Sequence, residues 1–111
     1  GIDLGGESTD VANILVDLAM RETMNYSARF AGYLVPELGK EVHLRKNSHR
    51  FAGFLVLKAP DVPSVLLEIG YLSNAQDAKQ MSSKKGREKI ANAVAGAIEQ
   101  YFTSVVASAG R

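Results

Sequence analysis

The sequence contains no cysteine, which excludes disulfides, thiolate metal sites and cysteine nucleophiles. It has no long apolar run. Phe54-Leu55-Val56-Leu57 is the longest uninterrupted one, far short of the roughly 20 residues that a membrane-spanning helix needs. Nor is there an excess of either charge: 13 Lys and Arg stand against 12 Asp and Glu, for a formal charge of +1. So small a surplus gives no general drive toward nucleic acid. Internal repeats and low-complexity tracts are absent. No basic region followed by an apolar stretch opens the chain, and Gly1 stands where an initiator Met would. The expectation is a piece cut from something longer, with no signal peptide of its own. What is present is an ordinary globular balance, 46% apolar and 23% charged over 111 residues, enough for one domain and too little for two.

Residues 1–8, with Gly5-Gly6, read as a loop. Ser8 or Thr9 is a plausible N-cap, and Asp10 puts negative charge in a first helical turn. Val11, Ile14, Leu15 and Leu18 then recur at helical spacing, and the register continues through Tyr26, Phe30, Tyr33, Leu34 and Leu38. This predicts one long helix or two joined end to end, with a kink or break near residues 33–36 at Pro36 and Gly39 closing it. Residues 40–50 are polar and basic, a loop composition. Phe51 to Lys58 and Ser64 to Ile69 read as two buried strands separated by a rigid turn at Ala59-Pro60-Asp61-Val62-Pro63. Ser73 or Asn74 can cap a short helix over 75–80. Ser82-Ser83 can cap a longer one from Lys84 to Ser104, striped by Ile90, Val94, Ala97, Ile98, Tyr101 and Val105. Ala91, Ala95 and Gly96 would let that helix approach a sheet. A lone pair of strands is marginal in water, so these two are expected to belong to a larger sheet with strands outside this chain.

Glu68 is the most informative single position, because it interrupts the apolar segment Val65-Leu66-Leu67-Glu68-Ile69. A carboxylate buried there costs several kcal/mol, about, unless it is paired, protonated or bound to a metal. It is either a functional carboxylate beside a pocket, or a residue that faces solvent from an edge strand or pairs with a lysine. Glu22 sits where the Val11–Leu18 stripe continues, either at the rim of that stripe or on a face that covers something cationic. His43 and His49 are six apart in a basic loop, the wrong spacing for a helical zinc pair, and read as surface histidines with metal ligation the weaker alternative. The Lys40–Arg50 cluster reads as a solvated loop or a contact for an anionic partner. No serine has nucleophile-like surroundings, and Gly5-Gly6 is not a phosphate loop.

The run from Val56 to Asn74, VLKAPDVPSVLLEIGYLSN, resembles the C-terminal part of the zinc-dependent N-acetylmuramoyl-L-alanine amidases that separate daughter cells. The family pattern there is an apolar strand, PS(I/V)L(V/L)E, a pair of small residues and (F/L)(I/L)SN. The helix beginning at Lys84 resembles the family's closing helix, and residues 1–40 resemble the helical insert of the divisome-regulated, Gram-negative members.

The resemblance implies an α/β parent domain with a mixed sheet flanked by helices. This chain would supply about two strands, a long regulatory helix (within 1–40) and a C-terminal helix, with 51–111 the remainder of the catalytic domain. It implies that Glu68 is the catalytic glutamate, which takes a proton from zinc-bound water and passes it to the leaving amine. The Zn2+ ligands, two histidines and a glutamate beginning at a GHGG-type motif, have no counterpart here, so the fragment alone is expected to be inactive. Glu22 is the candidate for an autoinhibitory group facing the metal, with Glu7 and Asp17 as rivals. The implied substrate is peptidoglycan, cut between N-acetylmuramic acid and L-alanine in the periplasm. The implied partner is a LytM-type activator on the regulatory helix. The competing expectation is a non-enzymatic α+β interaction module whose long helix docks a partner.

Overall fold

The computed structural model describes residues 8–44, 49, 57 and 59–109. Three helices make up the described architecture: α1 (Thr9–Gly39), α2 (Ala75–Ser82) and α3 (Lys84–Ala109). Each begins where its cap can satisfy orphan backbone donors. The Ser8 side chain accepts from the Val11 N–H (3.3 Å), Asn74 Oδ1 from the Asp77 N–H (3.0 Å), and Ser83 Oγ from the Gly86 N–H (2.9 Å).

α1 does not break at Pro36. It runs through that residue to Gly39, because only the carbonyl one turn back loses its donor and the helix ends three residues later. α3 extends five residues past the expected end at Ser104, to Ala109; Ser104 and Ser108 turn their hydroxyls back onto the Tyr101 and Ser104 carbonyls (2.7 and 2.9 Å).

α1 and α3 pack antiparallel, since later residues of one meet earlier residues of the other. Tyr26 shares a cleft with Val105, Phe30 stands edge-on to Tyr101 with centroids 5.6 Å apart, and Glu37 lies beside Gly96. The core is small: Leu34 and Leu38 of α1 against Ile90, Ala93 and the fully buried Ala97 of α3. Phe30, Tyr33, Val42, Leu44, Val65, Leu67 and Val94 pack around it. Each large apolar side chain buried there contributes about 1.5–3 kcal/mol, and the alanines let the two helices approach.

The expected α/β class is overturned: among the described residues the fold is all-α, with no strand. The first expected strand, Phe51 to Lys58, lies outside the described residues except for Leu57, which is in a 3-10 turn. The second, Ser64 to Ile69, is a strap without a ladder. A strand needs a neighbour to take its backbone groups, and this segment lies on helices. Its side chains still alternate. Val65 and Leu67 turn to the core while Leu66 and Glu68 face outward, which is the signal that had read as a strand.

Candidate functional site

The strap from Ala59 to Asn74 is seated by polar contacts with the helices. Thr23 Oγ1 donates to the Pro60 carbonyl (2.6 Å). The Ser64 N–H donates to Ser27 Oγ (2.8 Å), and Ser27 Oγ donates back to the Thr23 carbonyl (3.0 Å). At the other end the Tyr71 N–H donates to Asp77 Oδ2 (3.1 Å). Gly70 makes that closure possible, with φ +155° and a Cβ position only 3.0 Å from Asp77 Cβ. Thr23 and Ser27, one turn apart on α1, had no part in the sequence reading. Two hydroxyls at i, i+4 on a helix face that is otherwise half-buried were the available signal.

Glu68 lies between these two fixed points. Its side chain is exposed and makes no hydrogen bond or ion pair with another described residue. The apolar surroundings expected of a strand buried on both faces are therefore not found here. Alternation sends Glu68 outward, and no second layer covers that side among the described residues.

Glu22 is exposed at the edge of an open cleft of about 370 Å³ between α1, the strap and the end of α3. Thr23, Tyr26, Asp61 and Tyr101 also line the cleft, so two carboxylates, Glu22 and Asp61, share one apolar-walled hollow. Glu68 is not among its lining residues. A second open hollow of about 690 Å³ lies between Tyr33 of α1 and the Gly96–Ala107 stretch of α3. Asp17, the other rival within the described residues, is exposed, and Glu7 lies outside them.

Glu37 joins the two long helices. Its Oε1 accepts from Lys40 Nζ (2.9 Å) and from Gln100 Nε2 (2.7 Å). The Lys40 ammonium, then the Gln100 amide, hold its carboxyl below the ordinary glutamate value of 4.5.

Among the described residues, no three His, Cys, Asp or Glu side chains converge as a metal site. His43 and His49 are both exposed, and tetrahedral zinc needs three or four donors on one point. The described residues therefore do not fit a zinc ion by themselves. No helix among them is long and apolar enough to cross a membrane.

Comparison with known proteins adds a family signal. Residues 9–100 match the model of the N-acetylmuramoyl-L-alanine amidase family. The chain is 33% identical over 106 residues to N-acetylmuramoyl-L-alanine amidase AmiC of Neisseria meningitidis serogroup B, an alignment covering 96% of this chain and 25% of the relative. It is 32% identical over 103 residues to AmiA of Escherichia coli K12, covering 88% and 35%. To the probable cell wall amidase LytH of Staphylococcus epidermidis it is 34% identical over 65 residues, covering 59% and 22%. The chain thus spans about a quarter to a third of the length of these relatives. No solved structure matches it.

Proposed function

This chain belongs to the N-acetylmuramoyl-L-alanine amidase family, and on that footing we propose that it is part of an enzyme that hydrolyses the amide between N-acetylmuramic acid and L-alanine in peptidoglycan. The observation that carries the reading is the extent of the likeness: a family match over 9–100 and an alignment over 96% of the chain. An enzyme acting on that polymer works outside the cytoplasm; we assign it to the periplasm and to daughter-cell separation.

Glu68 is the residue to which we give the proton transfers. Amide hydrolysis needs a base that takes a proton from the attacking water and an acid that returns one to the departing amine. One carboxylate can do both in turn. An outward-facing Glu68, without a hydrogen-bond or ion-pair partner among the described residues and held on a strap fixed at Ser64 and Tyr71, suits a group that must meet substrate. The zinc of the complete enzyme is assigned to ligands outside this chain, so the 111-residue chain alone is inactive.

Residues 1–40 are read as a regulatory insert and 51–111 as catalytic-domain remainder. In this reading the Leu15–Leu18–Glu22 face of α1 covers the catalytic cleft at rest, and a LytM-type activator draws it away. Leu15 and Leu18 are exposed in this chain, at 39% and 56%, which leaves them available to such a contact.

The test is Glu68→Gln in the full-length enzyme, assayed on purified peptidoglycan. The change keeps shape and removes the proton acceptor, and turnover should fall by about 10²–10⁴-fold with fold and metal content unchanged. Near-native turnover would remove Glu68 from the reaction. Failure of the unsubstituted enzyme to release stem peptides would remove the amidase reading itself.

A further inference from the structure

The strap that carries Glu68 has no sheet neighbour among the described residues to fix its register. The register decides where Glu68 points. Val65 and Leu67 turn to the core while Leu66 and Glu68 face outward, so a slip of one residue would turn Glu68 onto the helices and Leu67 away from them. Apolar burial favours the observed face but does not aim it finely, because the hydrophobic effect has no direction. Hydrogen bonds do. The strap is tied at Pro60 and Ser64 to α1, through part-buried contacts, and at Tyr71 to Asp77, through an exposed one.

The two ties to α1 form a clip. Thr23 and Ser27 are four residues apart on a helix, which separates them by roughly 6 Å along its axis. Pro60 and Ser64 are also four apart, but in an extended chain they would be separated by roughly 13 Å. The turn at Pro60-Asp61 folds the strap to the shorter spacing, and Ser64 Oγ closes it by donating to the Val62 carbonyl (2.9 Å). Polarity matches at both ends. Thr23 Oγ1 donates to the Pro60 carbonyl (2.6 Å). Ser27 Oγ commits its proton to the Thr23 carbonyl (3.0 Å) and so presents a lone pair to the Ser64 N–H (2.8 Å). A slip that set Pro63 against Ser27 would leave that lone pair without a donor, since proline has no N–H.

We propose that Thr23 and Ser27 are positioning residues for Glu68, holding the backbone four residues before it so that its carboxylate meets the reacting groups at the right place. The inference rests on the assignment of the proton transfers to Glu68. Neither hydroxyl touches the reaction; both act through the strap. They follow directly after Glu22 on α1, so the helix assigned to cover the cleft is also the one that seats the strap.

The test uses the full-length enzyme on purified peptidoglycan. Ser27→Ala should lower kcat by about tenfold, within the roughly 10²-fold that an ångström of misplacement can cost, with KM and metal content unchanged. Ser27→Thr keeps a hydroxyl there and should restore kcat. Thr23→Val keeps the shape, loses the donor and should lower kcat as Ser27→Ala does. A merely structural loss scales turnover by one factor in every background. The deciding measurement therefore repeats Ser27→Ala in Glu68→Gln. Once the proton acceptor is gone there is nothing left to aim, and the residual turnover should not fall further. Should Ser27→Ala yield no folded enzyme, Thr23→Val enters the same cycle. The positioning role is overturned, with that of Glu68 intact, if either single variant keeps the wild-type kcat, if threonine fails to restore it, or if the loss is the same factor with and without Glu68. Near-native turnover of Glu68→Gln itself removes the proton-transfer reading, and the positioning role falls with it.

Discussion

Gly86→Ala sets two effects of known sign against each other. A glycine replaced by alanine inside a helix normally gains about 1 kcal/mol from propensity. Gly86, in the first turn of α3, is buried, and an added Cβ would collide with the Gln80 carbonyl oxygen while standing 2.7 Å from Ser83 Oγ and 2.8 Å from Gln80 Cγ. The Gln80 side chain can swing away, but the carbonyl belongs to the last turn of α2 and accepts from both the Ser83 N–H and Ser83 Oγ. Relieving the clash moves that turn and withdraws Ser83 from the cap it forms on the Gly86 N–H (2.9 Å). Overpacking costs about 1–3 kcal/mol and a lost cap about 1 kcal/mol. The net expectation is a destabilisation of about 1–3 kcal/mol after subtracting the propensity gain. For a domain of this size each kcal/mol lowers the melting midpoint by roughly 4–8 °C. Urea unfolding followed at 222 nm gives the free energy, and amide exchange across residues 75–90 shows whether the loss is centred on the junction. An alanine variant as stable as wild type, or more so, would mean that α2 and α3 do not approach as closely as described.

Three further outcomes follow from named contacts. Ser27→Ala leaves the Ser64 N–H without its acceptor; because the site is only part-buried and water can reach it, the cost should be about 0.5–1.5 kcal/mol, with faster amide exchange at Ser64 as its specific mark. Glu37 has a carboxyl held below 4.5 when folded, so the unfolded chain binds the proton more readily; the stabilisation from this contact is present above 4.5 and is lost as pH falls through the lowered folded value. Glu37→Gln should therefore flatten the acid limb of a stability–pH curve and leave its neutral limb's slope unchanged. If α1 covers the cleft as proposed, Leu18→Ala with Glu22→Ala in the full-length protein should raise basal turnover without activator; a variant as silent as wild type, with metal bound and fold intact, would refute the proposed covering role.

The helix starts were legible because capping is local: a serine or asparagine just before an amphipathic run needs no tertiary information. The face of α1 was not legible in the same way. Val11 to Leu18 and then Tyr26, Phe30, Leu34 and Leu38 read as one stripe because from Leu18 onward, through Glu22, each step is four residues. Four residues turn the helix by roughly 400°, so each step drifts about 40° and the line from Leu18 to Leu38 ends about 200° around. The structure accordingly has two faces. Leu34 and Leu38 are buried on α3, and Val11, Ile14, Leu15 and Leu18 look the other way. The strap was misread for a different reason. Its alternation is real, but a ladder depends on a neighbour that composition cannot supply. Glu68 stands out in the sequence by its apolar flanks alone, whereas the role proposed for it rests on the pattern around it and not on burial.

A helix that is apolar on two opposite faces has one face more than this core can use. That applies to α1, with Leu38 inward and Leu18 outward, and again to α3, with Ala97 inward and Phe102 outward. The strap repeats it on a smaller scale, with Leu67 against the helices and Leu66 and Leu72 exposed, the latter at 86%. Among the described residues three elements therefore present exposed apolar surface, in a chain that aligns with only a quarter to a third of the length of its relatives. A sequence selected to stand alone would place polar residues at those positions, since scattered exposure is ordinary but exposed stripes at helical spacing are not. The residues proposed for catalysis and its control, Glu68 beside Leu66 and Glu22 one turn beyond Leu18, sit on the same outward sides. The surface left uncovered and the surface assigned to function thus coincide, as they would if whatever covers these faces also completes the site.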